Sequence, residues 1–231
     1  MNNIHKDHRS RMKNRYKETG FNGFSDHEIL ELLLFYGIPN GDVNPLAHRL
    51  LDRFSNISTI MDAPIEALTS VNGVGEHTAL LLKLIPDLCR KYMLDKNNPS
   101  KNIYLSNTAA LGEFVRHRFI GVTQEQFYAI FLDNNCKVIK HGVMFEGGIN
   151  AVHVNFRSIA EAALGCQATC VAFAHNHPKA SAKPSIEDAR LTVQLANTLK
   201  PLGIEIVDHI IVSDTEYVSL RHYPEYKKIF E

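Results

Sequence analysis

Between Leu94 and Asn102 the chain reads LDKNNPSKN, a polar run around one proline, and the texture of the sequence differs on its two sides. Asn-Asn-Pro-Ser ends any helix that enters it, because the residue before a proline is pushed out of the helical region. Upstream, apolar residues recur at helical spacing; downstream, helical and strand patterns alternate. One layer arrangement cannot serve both textures, so a domain boundary is expected here. The expected class is α+β, with a small all-α domain over residues 1–96 and a mixed α/β domain over 102–231. A chain of 231 residues, 45% hydrophobic and 22% charged, suffices for two such cores.

In the first half, FSDHEILELLLFYG places Ser25 as an N-cap with Glu28 three residues on and Gly37 as a stop. VNPLAHRLLDRF and EHTALLLKLIPDLCRKYM predict further helices. Between PIEALTSV and the last of these lies Gly73-Val74-Gly75, a turn that would join two helices. The first segment, HKDHRSRMKNRYK, carries six Lys/Arg against one Asp and sets Arg9, Lys13 and Lys17 on one helical face. That face is either a phosphate-contacting stripe or a solvated surface.

In the second half, QFYAIFLDNNCKVIKHGVMF is two β-rich runs around Asp-Asn-Asn, a hairpin signal because Asn and Asp tolerate left-handed backbone. NFRSIAEAALG predicts a helix closed by Gly165, and TCVAFAH predicts a short buried strand. PSIEDARLTVQLANTLKPLG is a capped amphipathic helix and IEIVDHIIVSD another strand.

The chemistry concentrates in AHNHPKASAKPSIEDARL, Ala174 to Leu191. In a strand, side chains at i and i+2 share a face, so His175 and His177 point the same way where the strand ends. Neutral imidazoles suit zinc, and a catalytic zinc keeps three protein ligands. Asp188, in the first turn of the next helix, is the candidate third ligand, with Pro178 and Pro184 stiffening the loop between. The plainer reading is a capping box, Ser185 at the N-cap and Asp188 at N3, which needs no metal. It leaves the histidine pair unexplained.

His175-Asn176-His177, seven residues, Ser185, two residues and Asp188 together resemble the HxHx7SxxD motif of the JAB/JAMM (MPN+) metalloproteases. FLDNNCKVI, AHNHP, PSIEDARLT and VDHIIVSD more closely resemble the bacterial RadC family, in which a MPN/JAMM-type domain follows a helical N-terminal region. The resemblance spans essentially the whole chain. It implies one zinc per chain held by His175, His177 and Asp188, with Ser185 supporting an oxyanion. It also implies a Glu that activates the bound water; Glu125, before an apolar strand in EQFYAIFLD, is the candidate, and Glu146 in MFEGG the alternative. The implied activity is hydrolysis of a peptide or isopeptide-type amide in an unknown peptide or protein substrate. Relatives usually follow HNHP with Ser-Gly, where this chain has Lys179-Ala180; if the glycine position takes positive φ, Ala180 strains the loop. Asn176 either makes a supporting hydrogen bond or fills the loop.

SVNGVGEHTALLLKLI, with Gly73-Val74-Gly75 and Ala79 four residues later, is in the plainer reading a turn packing two helices; it also resembles a helix-hairpin-helix, a motif whose backbone N–H groups meet DNA phosphates without reading sequence. The competing reading is therefore a non-catalytic, DNA-associated repair or recombination protein with a structural metal, binding non-specific DNA. Charge gives it little support: residues 1–100 hold 12 Lys+Arg and 12 Asp+Glu, and Glu76 beside the turn repels phosphate. His153 and His209 lie in segments that could approach the same face but read better as core or surface histidines, and Cys89, Cys136, Cys166 and Cys170 read as buried thiols. No apolar run is long enough to span a bilayer and the charged start carries no signal-peptide core, so a cytoplasmic protein with no membrane partner is expected.

Overall fold

The structure is a computed structural model that describes residues 2–96, 102–147 and 154–231, with side chains from residue 7 onward. It divides into two compact units, Met1–Leu88 and Cys89–Glu231. His153 and the centre of the polar run, residues 97–101, lie outside the described residues.

The first unit is helical: α1 (Asn2–Thr19), α2 (Asp26–Gly37), α3 (Asn44–Phe54), α4 (Ile57–Asp62), α5 (Ile65–Thr69) and the start of α6 (Glu76–Lys96). The capping box at Ser25 and Glu28 forms as the sequence predicts, the Ser25 N–H donating to Glu28 Oε2 at 2.9 Å. Behind it Leu30, Leu34, Leu46, Leu50, Ile60, Leu68 and Leu82 close one core. Gly73 adopts φ +99° in the turn between α5 and α6, and a Cβ there would press on Arg49 and Leu46. Its conformation is accounted for by packing on α3, to which Arg49 adds a hydrogen bond from Nε to the Asn72 carbonyl at 3.2 Å. Gly75 stands immediately before α6.

Two of the three residues of the basic stripe on α1 also make contacts within the fold. Arg9 is committed to structure: its guanidinium donates to the carbonyls of Phe35, Ile38, Pro39 and Gly41 at 2.8–3.4 Å and stacks over the Phe35 ring. It completes the end of α2, where helix carbonyls lack partners. Lys13 lies over the Tyr36 ring, and only Lys17 of the three is exposed. Helical periodicity put these residues on one face but could not say that the face packs against α2.

The second unit carries α7 (Thr108–Arg116), β1 (Gln126–Leu132), β2 (Val138–Glu146), α8 (Phe156–Gly165), β3 (Cys170–Asn176), α9 (Ile186–Leu199), β4 (Glu205–Val212) and β5 (Tyr217–Ser219). The sheet order is β2-β1-β3-β4-β5; all neighbours are antiparallel except β3 and β4, which α9 joins as a parallel pair. One face packs on α8 and α9 through Phe127, Phe131, Phe173, Leu191 and Leu195. The other packs on α7 through Tyr128, Ile130, Leu132, Phe114 and Val115. Burial on both faces explains why β1 and β3 read as continuous apolar runs.

Three local expectations shift. In the β1–β2 turn Asp133 Oδ1 accepts from the amides of Asn135 and Lys137, but the left-handed residue is Cys136, at φ +60°. At the end of α8 Gly165 is still helical, and the left-handed position falls on Gln167. Of the four cysteines Cys89 is exposed and the others half-buried, a correction that follows from Cys89 lying on an outward face of α6.

Gly112 in the middle of α7 faces the Tyr217 ring of β5 so closely that a Cβ would collide with it. Helix propensity alone makes Gly112→Ala stabilising by about 1 kcal/mol. We expect the opposite sign, a loss of about 1–3 kcal/mol in urea unfolding, because overpacking outweighs propensity.

Candidate metal centre

β3 delivers His175 and His177 to its C-terminal end, and α9 brings Asp188 over them from the N3 position of its first turn. His175 Nε2 and His177 Nε2 are 2.9 Å apart, His175 Nε2 is 3.1 Å from Asp188 Oδ1, and His177 Nε2 is 3.6 Å from Asp188 Oδ2. Ligands at zinc-like distances on a tetrahedron are about 3.3 Å apart, so this triangle has the size of a metal's donor face. His175 and Asp188 are buried, while His177 keeps partial exposure. Among the described residues this is the one group of three His, Cys, Asp or Glu side chains that can hold a metal ion.

Hydrogen-bond direction shows which ring nitrogens are available. Thr192 Oγ1 lies 2.6 Å from the Asp188 carbonyl oxygen, which can only accept, so the threonine proton is spent there. At 2.7 Å from His209 Nδ1 the same oxygen must then accept, which puts the His209 proton on Nδ1 and leaves Nε2 an acceptor. That Nε2 faces His175 Nδ1 at 2.8 Å, so His175 carries its proton on Nδ1 and presents a bare Nε2 lone pair to the site. His177 arrives at the same state by another route, donating from Nδ1 to the Ser181 carbonyl at 3.0 Å. Two lone pairs aimed at one another across 2.9 Å repel unless a positive charge sits between them. The donor set therefore fits a bound cation.

Electrostatics agree with that arrangement. His209 is fully buried, and burial holds its pKa well below the ordinary value, with the Asp188 carboxylate opposing. It stays neutral, as the proton relay requires. Burial opposes ionisation of the Asp188 carboxyl, and the Ser185 N–H, donating to Oδ2 at 2.7 Å, favours it.

Ser185 forms the capping box with Asp188: the Ser185 N–H donates to Asp188 Oδ2 at 2.7 Å and its Oγ accepts from the Asp188 N–H at 3.1 Å. Cap and ligand group are thus one device, since the box ties up Oδ2 and leaves Oδ1 beside His175. The hydroxyl proton of Ser185 is not used in that box.

Glu125 immediately precedes β1, half-buried, with its carbonyl accepting from Gly147 N at 2.8 Å. Phe127 pairs with His175 and packs on the α8–α9 side, so alternation assigns position 125 to that same side. Glu146 pairs with Gln126 on the opposite parity, and the Gln126 amide holds its carboxylate at 2.8 Å.

The loop after His177 differs from the sequence expectation. The positive φ falls on Lys179, at +60°, not on Ala180. Pro178 and Lys179 are the central residues of a turn closed by Ala180 N donating to the His177 carbonyl at 3.3 Å, a pattern that favours Gly or Asn at the second central position. The strain sits one residue earlier than expected, and the turn swings Ser181 back to the His177 ring.

Comparison with known proteins agrees with the fold. Residues 105–225 match the model of the RadC-like JAB domain, and residues 1–80 match the UPF0758 N-terminal model. The chain belongs to this RadC-like UPF0758 family. It is 31% identical over 221 residues to UPF0758 protein FN0909 of Fusobacterium nucleatum subsp. nucleatum, covering 92% of this chain and 94% of the relative. UPF0758 protein SPO0054 of Ruegeria pomeroyi is also 31% identical, over 216 residues, covering 94% and 96%. Among the described residues no helix is long and apolar enough to cross a membrane.

Thr192 is a residue of this cluster that sequence reasoning missed, and His209 one that it read as core or surface in preference to the site face. The one available signal was a histidine inside the apolar run IVDHIIV, where a buried imidazole must find partners. Thr192→Val or His209→Phe is expected to lower divalent-metal affinity about 10- to 100-fold in chelator competition, with circular dichroism unchanged. Lys179→Gly is expected to raise stability by about 0.5–1 kcal/mol by removing left-handed strain, and Ala180→Gly to lower it slightly, both read in urea unfolding.

Proposed function

We propose that this protein is a zinc-dependent metallohydrolase of the JAMM type that cleaves a peptide or isopeptide-type amide. The observation that carries the reading is the convergence of two bare imidazole Nε2 lone pairs and Asp188 Oδ1 on one point, with His177 and Ser185 partly exposed beside it. An ion of the zinc type fits three such nitrogen and oxygen donors better than magnesium or calcium, which favour oxygen cages. Held by His175, His177 and Asp188, zinc would supply Lewis acidity, polarising the scissile carbonyl and lowering the pKa of a water toward neutrality.

The chain's own groups then divide the proton work. Glu125 accepts a proton from the attacking water and passes it to the leaving amine, the task of a carboxylate near the reacting atoms. Ser185, whose oxygen already accepts from the Asp188 N–H, has its O–H to donate to the oxyanion that develops on the carbonyl. Asp188 is held ionised by the capping box, in which the Ser185 N–H donates to its carboxylate. The partner is a peptide or protein bearing the amide.

The purified protein is expected to contain one zinc per chain and to lose it on His175→Ala, measured by elemental analysis. On a peptide-amide library, Glu125→Gln should keep the metal and lose hydrolysis by at least about 100-fold, the scale of general acid–base catalysis. Wild type that takes up no zinc, or Glu125→Gln that hydrolyses as wild type does, would overturn the reading.

A further inference from the structure

Asn176, between the two ligand histidines, is 4% exposed and points away from the metal cluster. The main-chain pairing of β1 with β3 ends at Phe127 and His175, and beyond that pair the Asn176 amide continues the ladder in place of backbone. Its Oδ1 accepts from the Gln126 N–H at 2.7 Å, and its Nδ2 donates to the carbonyls of Gln124 at 2.9 Å and Val122 at 3.4 Å. From the other side Gly147 N donates to the Glu125 carbonyl at 2.8 Å. The peptide groups flanking Glu125 are therefore gripped on both edges, one edge by the residue that separates the ligands.

We propose that Asn176 is a positioning residue that registers the backbone of Glu125 against the His175–His177 pair. The inference rests on Glu125 acting beside a bound metal. A carboxylate must stand within about 2.6–3.2 Å of its proton partner, and an error of about 1 Å in such placement costs on the order of 100-fold in rate. Asparagine suits the role because one short side chain offers an acceptor and two donors: aspartate would turn both donors into repulsions, and alanine would abandon three partners.

The test uses the full-length protein loaded with cobalt(II), whose visible spectrum titrates with pH, in wild type, Glu125→Gln, Asn176→Ala and Asn176→Ser. Glu125→Gln should move the pH midpoint of the spectrum. Each Asn176 variant should move it in the same direction by at least half as much, keep cobalt affinity within threefold of wild type, and show faster amide exchange at Gln126. An unmoved midpoint in both Asn176 variants, beside a moved one in Glu125→Gln, overturns the positioning role and leaves the proposed function intact. Affinity that falls more than tenfold in both overturns it too, since Asn176 would then act on the ligands. A midpoint that Glu125→Gln does not move, or wild type that binds no cobalt, removes the proposed function and this inference with it. Asn176→Ser guards against failure of Asn176→Ala to fold.

Discussion

The contact on which the site depends most is the 2.8 Å hydrogen bond between His175 and His209. It joins β3 to β4 at the level of side chains, and through Thr192 and the Asp188 carbonyl it reaches α9. Each link has one permitted direction, because a carbonyl can only accept and a hydroxyl has one proton. The chain of bonds therefore starts from a backbone oxygen and ends by assigning the tautomer of His175. Were His209 able to take up a second proton, the relay would lose its acceptor; complete burial prevents that.

The same economy appears in the first turn of α9. A capping box at a helix N-terminus ordinarily only satisfies free backbone donors. Here its acidic member is also the third donor of the cluster, so satisfying the helix end fixes the carboxylate. A capping role and a place in the donor cluster are thus compatible, and the parallel β3–α9–β4 crossover is what lets one residue hold both. It sets the start of α9 over the end of β3, while β4 supplies His209 from beneath.

Legibility of this chain varied with the range of the interaction. The α+β division, the capped starts of α2 and α9 and the buried strands β1 and β3 were readable because period, caps and turn residues act over a few positions. Single left-handed residues were misplaced by one or two positions, at Cys136, Gln167 and Lys179, because composition marks a turn and not the residue that reverses it. The structural part that Arg9 plays was illegible for another reason. Its four carbonyl partners lie 26 to 32 residues away, and no local pattern reveals them.

By itself the sequence determined the donor types and their shared face: the His-x-His spacing at the end of an apolar run, and a Ser-x-x-Asp that starts a helix. Those follow from strand and helix geometry, which any neighbour leaves unchanged. The tertiary structure alone decided that His209 and Thr192 orient His175, and that Asn176 holds the segment bearing Glu125. It also set Glu125 and Glu146 on opposite parities of the sheet edge. Each of these is a contact between elements far apart in sequence, and such contacts exist only once the sheet order β2-β1-β3-β4-β5 has formed.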